Sequence, residues 1–393
     1  MLTGYRGKGD VQPFVIPAEI DGKPVVEIGG SFTANMRCGT LSSQTLVLPN
    51  TMRNVVSNAF LHSTFSEIYF SDNIEDIDER AFPYNIGTWH INAFDPPCFQ
   101  AENNSTIFAD NMDRLILNKD KKKLIFFSGC SFSYGVDSNL VNEVYGDEYV
   151  VFNMGMNGDI NGAFQMEILI NYMGKGDIMV HAPEEMSPVQ LMDIFFVNTL
   201  VFIMAEGNYD LLALADFSDN GGVVRAFFEY KDLKRDAEPC SYDQGRYFDF
   251  NIYGDYIEDR PYDETTEAAR DTTYSDNLYC FAPEMITDRG MAKLTGYYDK
   301  IRSKGGNVYL SYAPVNGSAR GGDEIVQKGH EFARKLGEVM DKYGYEIISE
   351  VDDYILSGRY FFDSDYHLND IGVALRTEQL LSDLAAVTGR AYK

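Results

Sequence analysis

The chain has 393 residues, 45% of them hydrophobic and 24% charged, which is too apolar for a disordered polymer and long enough for two domains. Sixty acidic residues against 33 basic ones give a net charge of −27, which repels polyanions and so excludes nucleic acid and anionic membrane surfaces as partners. The five cysteines, Cys38, Cys98, Cys130, Cys240 and Cys280, form no CxxC pair and no Cys/His cluster, so neither a metal site, a redox dithiol nor another cofactor is expected.

The N-terminal decapeptide MLTGYRGKGD has no apolar core or cleavage site of an export signal, which leaves either a cytosolic protein or one whose leader lies outside this sequence. Three segments then align: FVIPAEIDGKPVVEIGGSF (14–32), LVLPNTMRNVVSNAF (46–60) and IYFSDNIEDIDERAF (68–82). Each reads as a short apolar strand, a turn, an apolar pair and a closing Phe. A unit this small cannot bury its apolar side alone, so neighbouring units must stack into one continuous core. The residues that carry the pattern, Ile16-Pro17, Leu48-Pro49, Ala59-Phe60 and Ala81-Phe82, resemble the BspA-type leucine-rich repeats of bacterial cell-surface proteins across residues 3–85. That resemblance implies a short solenoid, a protein or glycan ligand for its surface, and an extracellular or cell-surface location. Residues 86–118 lose the repeat and end in a strand-like RLILN (114–118), so 1–118 is expected to be a repeat domain with a capping and linker region.

The lysine run 119–123 reads as a solvated strand entry. From there strand-like and helix-like segments alternate. Strands are expected at 124–129 (LIFFSG), 149–155 (YVVFNMG), 177–183 (DIMVHAP), 307–314 (NVYLSYAP) and 345–350 (YEIISE). Helices are expected at 163–173, 189–205, 291–305 and 323–344. The apolar run within 194–205 is roughly a dozen residues, short of the ~20 that span a bilayer, and reads as a buried core helix. Apolar strands separated by amphipathic helices imply an α/β domain over 119–393 with a parallel sheet covered on both faces. Residues 217–285, rich in Tyr and Asp, break the rhythm and read as an insertion or long loops near the carboxyl edge of the sheet.

Ligands of open α/β sheets bind at the carboxyl ends of the strands, so the chemistry should lie there. At the first tip, Gly129-Cys130-Ser131 puts a hydroxyl on a tight strand-to-helix turn, beside backbone N–H groups suited to an oxyanion. The second tip, after VVF, carries Gly155 and Asn157. The third carries His181 and Glu184, and the last motif, FFDSDYHLNDIG, carries Asp363, Asp365 and His367. In this order the blocks resemble those of the SGNH (GDSL-like) hydrolases, with Gly-Cys-Ser standing where that family has Gly-Asp-Ser.

The resemblance implies a flavodoxin-like three-layer α/β/α fold, with Ser131 as nucleophile and His367 as base. Asp363, or else Asp365, orients the imidazole, and position 364, where the family has its Asp, is Ser. Gly155, the Ser131 amide and Asn157 are implied as oxyanion donors. Glu184 stands where the family's Asn donor would be, and a carboxylate cannot donate unless protonated. The expected activity is that of a serine esterase removing an acyl, preferably acetyl, group from a carbohydrate, with the Tyr-rich 241–256 segment offering rings to stack on sugars. The alternatives are a surface adhesion protein with a degenerate hydrolase domain, and an O-acyltransferase using the same triad.

Overall fold

The structure is a computed structural model. It describes residues 1–393 except 4–11, 31, 34–42, 62, 72, 83–85, 93–104, 156–161, 184–196, 206–207, 219–221, 237–248, 263–282, 319–322, 365–366, 391 and 393. The chain folds as two units, one of residues 1–101 with 196–246 and the other of 102–195 with 247–393.

In the first unit the repeated segments pair strand to strand. Phe14–Val15, Thr45–Val47, Glu67–Ser71 and Thr88–Asn92 form one parallel ladder, in register from Phe14 through Leu46 and Ile68 to Trp89. The second apolar pair of each repeat makes another, with Ile28, Val55 and Ile77 side by side. The closing residues stack behind them: the rings of Phe32 and Phe60 are 5.8 Å apart and those of Phe60 and Phe82 5.5 Å. All three are buried, and each contributes roughly 2–3 kcal/mol by leaving water. A ladder of this kind ends in an unpaired edge, a template for unwanted pairing. Here Thr88–Asn92 packs against the short helical turn Tyr209–Leu214, the Phe217 amide donates to Gly87 O at 2.8 Å, and the ring of Phe227 meets Phe70 edge-on at 5.4 Å.

This arrangement departs from the expected division at residue 118. The segment 196–246, including helices Thr199–Met204 and Val223–Asp236, completes the repeat unit rather than the α/β domain. The expected helix at 189–205 is therefore seen only as Thr199–Met204, in the other unit, and its first residues lie outside those described. The strand expected at 114–118 is instead the end of a helix, α1 (Ser105–Leu117), because Phe108, Met112 and Leu115 recur at helical spacing and are all buried.

The second unit is built on five parallel strands: β1 (Lys123–Ser128), β2 (Val150–Gly155), β3 (Ile178–Ala182), β4 (Asn307–Leu310) and β5 (Glu346–Ile347). Their spatial order is β2-β1-β3-β4-β5, one of the two common orders of doubly wound α/β sheets, and it reverses direction at β1. The central strands β1 and β3 are buried at every position, as strands covered on both faces must be. Helices α2 (Ser138–Tyr145), α3 (Gly162–Tyr172), α4 (Asp288–Ser303), α5 (Asp323–Tyr343) and α6 (Asp370–Thr388) follow in chain order. The result is a mixed α/β protein with several parallel sheets. Lys123 departs from the solvated strand entry expected for its run. It is buried, with Nζ 3.0 Å from the equally buried Asp177 and bonded to the carbonyls of Lys119 and Lys121, so its charge is paired and hydrogen-bonded.

Candidate active site

The sheet reverses its strand order at β1, and a crevice at the strand tips is expected there. Ser131 follows β1 by three residues, in the helical turn Cys130–Ser133. Ser128 closes this turn: its hydroxyl accepts from Phe132 N at 3.2 Å and lies 3.4 Å from Ser131 Oγ. Ser131 is fully buried, and its carbonyl accepts a hydrogen bond from the buried guanidinium of Arg376 in α6. That contact, with the Asp137 amide donating to Thr377 Oγ1 at 2.9 Å, holds the start of α6 against the segment after β1.

His367 sits in the loop that enters α6. Asn369 caps the helix by accepting from the Gly372 amide at 3.0 Å, and a Cβ at Gly372 would run into Tyr360 O, which explains the His-x-x-x-x-Gly spacing as a close approach of backbone. Ser364 accepts from the His367 amide at 3.0 Å and so shapes the loop. Asp363 Oδ1 is 2.6 Å from His367 Nδ1. Asp365 lies outside the described residues. The imidazole lies flat on Tyr134, three residues beyond Ser131, with ring centres 3.8 Å apart and planes 9° from parallel. Tyr134 stacks in turn with Tyr256 at 4.5 Å. The structure thus brings His367 and Asp363 together and stacks the imidazole on Tyr134, the residue that follows the turn bearing Ser131. His367 Nε2 is buried and has no hydrogen-bond partner among the described residues, so no bond joins it to Ser131 Oγ.

Gly155 ends β2 next to this turn. Its carbonyl accepts from Ser133 Oγ at 2.6 Å, and a Cβ there would collide with the Ser133 amide. Its own N–H, the expected oxyanion donor, donates to Asn153 Oδ1 at 3.0 Å. Asn157 and Glu184 lie outside the described residues. His181 is on β3 but faces the core: it is fully buried, bonds the Tyr298 hydroxyl through Nδ1, and is pushed down to about 3 by burial, so it stays neutral. It is not brought to Ser131's turn by any described bond.

Three residues that the sequence did not single out hold the site. Tyr134 could have been noticed as the aromatic that follows the serine turn. Asp255 and Arg260 lie in the segment 217–285, rich in Tyr and Asp, which read as an insertion or long loops. Asp255 is instead buried, and its carboxylate accepts from Ser138 N, Ser138 Oγ, Asn153 Nδ2 and Asn251 Nδ2 at 2.6–2.9 Å. Burial raises its pKa while these bonds pull it back down. The described aromatics of the stretch face protein: Phe250 meets Tyr134 edge-on and Tyr253 lies beneath Arg114. Residues 241–248, part of the expected sugar platform, lie outside the described residues. Among the described residues no group of His, Cys, Asp or Glu is placed to hold a metal ion, and no helix is long and apolar enough to cross a membrane.

No family model and no curated protein matches the chain. Among solved structures it is similar to protein YXIM from Bacillus subtilis, with 11% identity and a TM-score of 0.32, across 68% of this chain and 58% of that one.

Proposed function

We propose that the α/β unit is a three-layer serine ester hydrolase of SGNH type that removes an acyl group, preferably acetyl, from a carbohydrate. The repeat unit, of BspA-type leucine-rich character, would offer a protein or glycan binding surface on a protein displayed at or beyond the cell surface. The observation that carries the reading is the Asp363–His367 pair lying on Tyr134, in the turn that bears Ser131 at the reversal of strand order.

In this reading His367 Nε2 takes the proton of Ser131 Oγ as that oxygen attacks the ester carbonyl, and Asp363 fixes the tautomer through Nδ1 and stabilises the imidazolium. His367 then gives the proton to the departing sugar oxygen, and water repeats the sequence on the acyl-enzyme. The Ser131 amide faces the developing oxyanion. Gly155 joins it only by releasing Asn153, a rearrangement of the kind that closes on substrate.

A fluorophosphonate probe should label the wild type and not Ser131→Ala, and the same substitution should abolish acetate release from acetylated xylan. Equal labelling of both proteins, or an inert wild type, sinks the proposal. A second reading, a binding protein with an inactive hydrolase unit, is favoured by the burial of Ser131 and by the missing bond between its Oγ and His367 Nε2. It predicts the inert outcome.

A further inference from the structure

Arg260 is only 4% exposed, although it comes from a stretch of chain dense in acids. The segment that bears it is pinned upstream by the four bonds to Asp255, by Tyr256 N donating to Ser133 O at 2.9 Å and by Asn153 N donating to Tyr253 O at 2.8 Å. From this fixed base a single guanidinium nitrogen, Nη1, donates to two carbonyls of segments distant in sequence: Tyr134 O at 2.7 Å and Leu368 O at 2.8 Å. The first belongs to the residue on which His367 stacks, the second to the residue directly after His367. The backbone of Arg260 holds the same loop again, with its amide donating to Asp370 Oδ2 at 3.1 Å and its carbonyl accepting from the Asp370 amide at 3.0 Å. Its guanidinium also lies near the rings of Tyr134 and Tyr256, 5.6 and 5.3 Å from their centres.

We propose that Arg260 is a positioning residue that fixes His367 against the Ser131 turn by bridging Tyr134 O and Leu368 O. The role rests on the esterase reading above for its catalytic meaning. Its geometric content stands apart from that reading. Arg260 touches neither of the two groups proposed to react. It acts by registering the loop that carries the base against the turn that carries the nucleophile, where an error of an ångström costs about 10²-fold in rate. One nitrogen makes both bonds, so Lys keeps a donor for the bridge while losing the contact of the planar guanidinium with the Tyr134 and Tyr256 rings, and an isosteric apolar side chain keeps no donor at all.

The test uses the full chain with p-nitrophenyl acetate as substrate and compares wild type, Arg260→Met and Arg260→Lys. Arg260→Met should lose about 30- to 100-fold in kcat with KM within about threefold, because the misplaced base is felt in the transition state. Arg260→Lys should recover most of that loss. The imidazole protons of His367, assigned among five histidines with His367→Asn, should lie upfield in the ring-current shadow of Tyr134. They should move out of it in Arg260→Met and return in Arg260→Lys. Wild-type kcat and an unmoved His367 signal in Arg260→Met overturn the proposal, as does a loss confined to KM. If the wild type neither turns over ester nor takes up phosphonate, the esterase reading fails, and the imidazole shift alone decides the role of Arg260. Should Arg260→Met not fold by circular dichroism, Arg260→Ala, which also lacks the donor, carries the same comparison.

Discussion

A carboxylate 2.6 Å from Nδ1 of an imidazole decides which ring nitrogen carries the proton and leaves Nε2 as the basic atom. Asp363→Asn keeps the volume and the hydrogen bond but allows the opposite tautomer. It should lower kcat on the order of 10³-fold for a chain that hydrolyses ester, while Asp365→Asn stays within a few fold of wild type. Steady-state kinetics on the pair decide between the two acids, and equal losses would remove Asp363 from its special place. Much of this site was legible, since His367 is the one histidine in a dense polar motif opening a helix, and Ser131 ends an apolar strand at a glycine. Arg260 and Asp255 were not legible, because nothing in a run of acids and tyrosines announces which charge will be buried. Their burial depends on carbonyls and amides of segments far away in the chain.

At the scale of elements, His181 illustrates how a strand-tip residue belongs to packing. It lies on β3, fully buried, its Nδ1 bonded to the hydroxyl of Tyr298 in α4, with the ring of Phe127 of β1 4.9 Å away. Burial pushes it down to about 3, whereas the unfolded chain titrates it near 6.5. Between those values the unfolded state binds the extra proton. The stability it confers is therefore complete above about pH 6.5 and drains away as pH falls toward 3, by at most roughly 5 kcal/mol. Thermal melts at pH 7, 5 and 4 should show a steeper acid loss for wild type than for His181→Asn, and parallel losses would refute this origin. The strands themselves read clearly from their apolar runs. The helix Ser105–Leu117 did not, because RLILN, taken alone, fits either period, and only the preceding Phe108 and Met112 show the helical face.

At the scale of the molecule, the first unit includes residues 196–246, which were expected in the α/β domain because an apolar helix does not say which core it will fill. A fragment of residues 1–118 leaves Phe70 and Trp89 without Phe227 and the turn at Tyr209–Leu214. It should bind the dye ANS and melt without cooperativity, and fusing residues 196–246 to it through a glycine-serine linker should restore a sharp transition. A cooperative melt of 1–118 alone would show that the added segment is ornamental.

That dependence sets a timetable for biosynthesis. Residues 93–246, which include β1, β2 and β3, are translated after the last strand of the first unit and before its closing segment is complete, so that strand waits with an open flank for roughly 8 to 30 seconds at about 5–20 residues per second. During that interval the nascent chain carries a bare β edge, and it is there that a holdase chaperone has the most to shield.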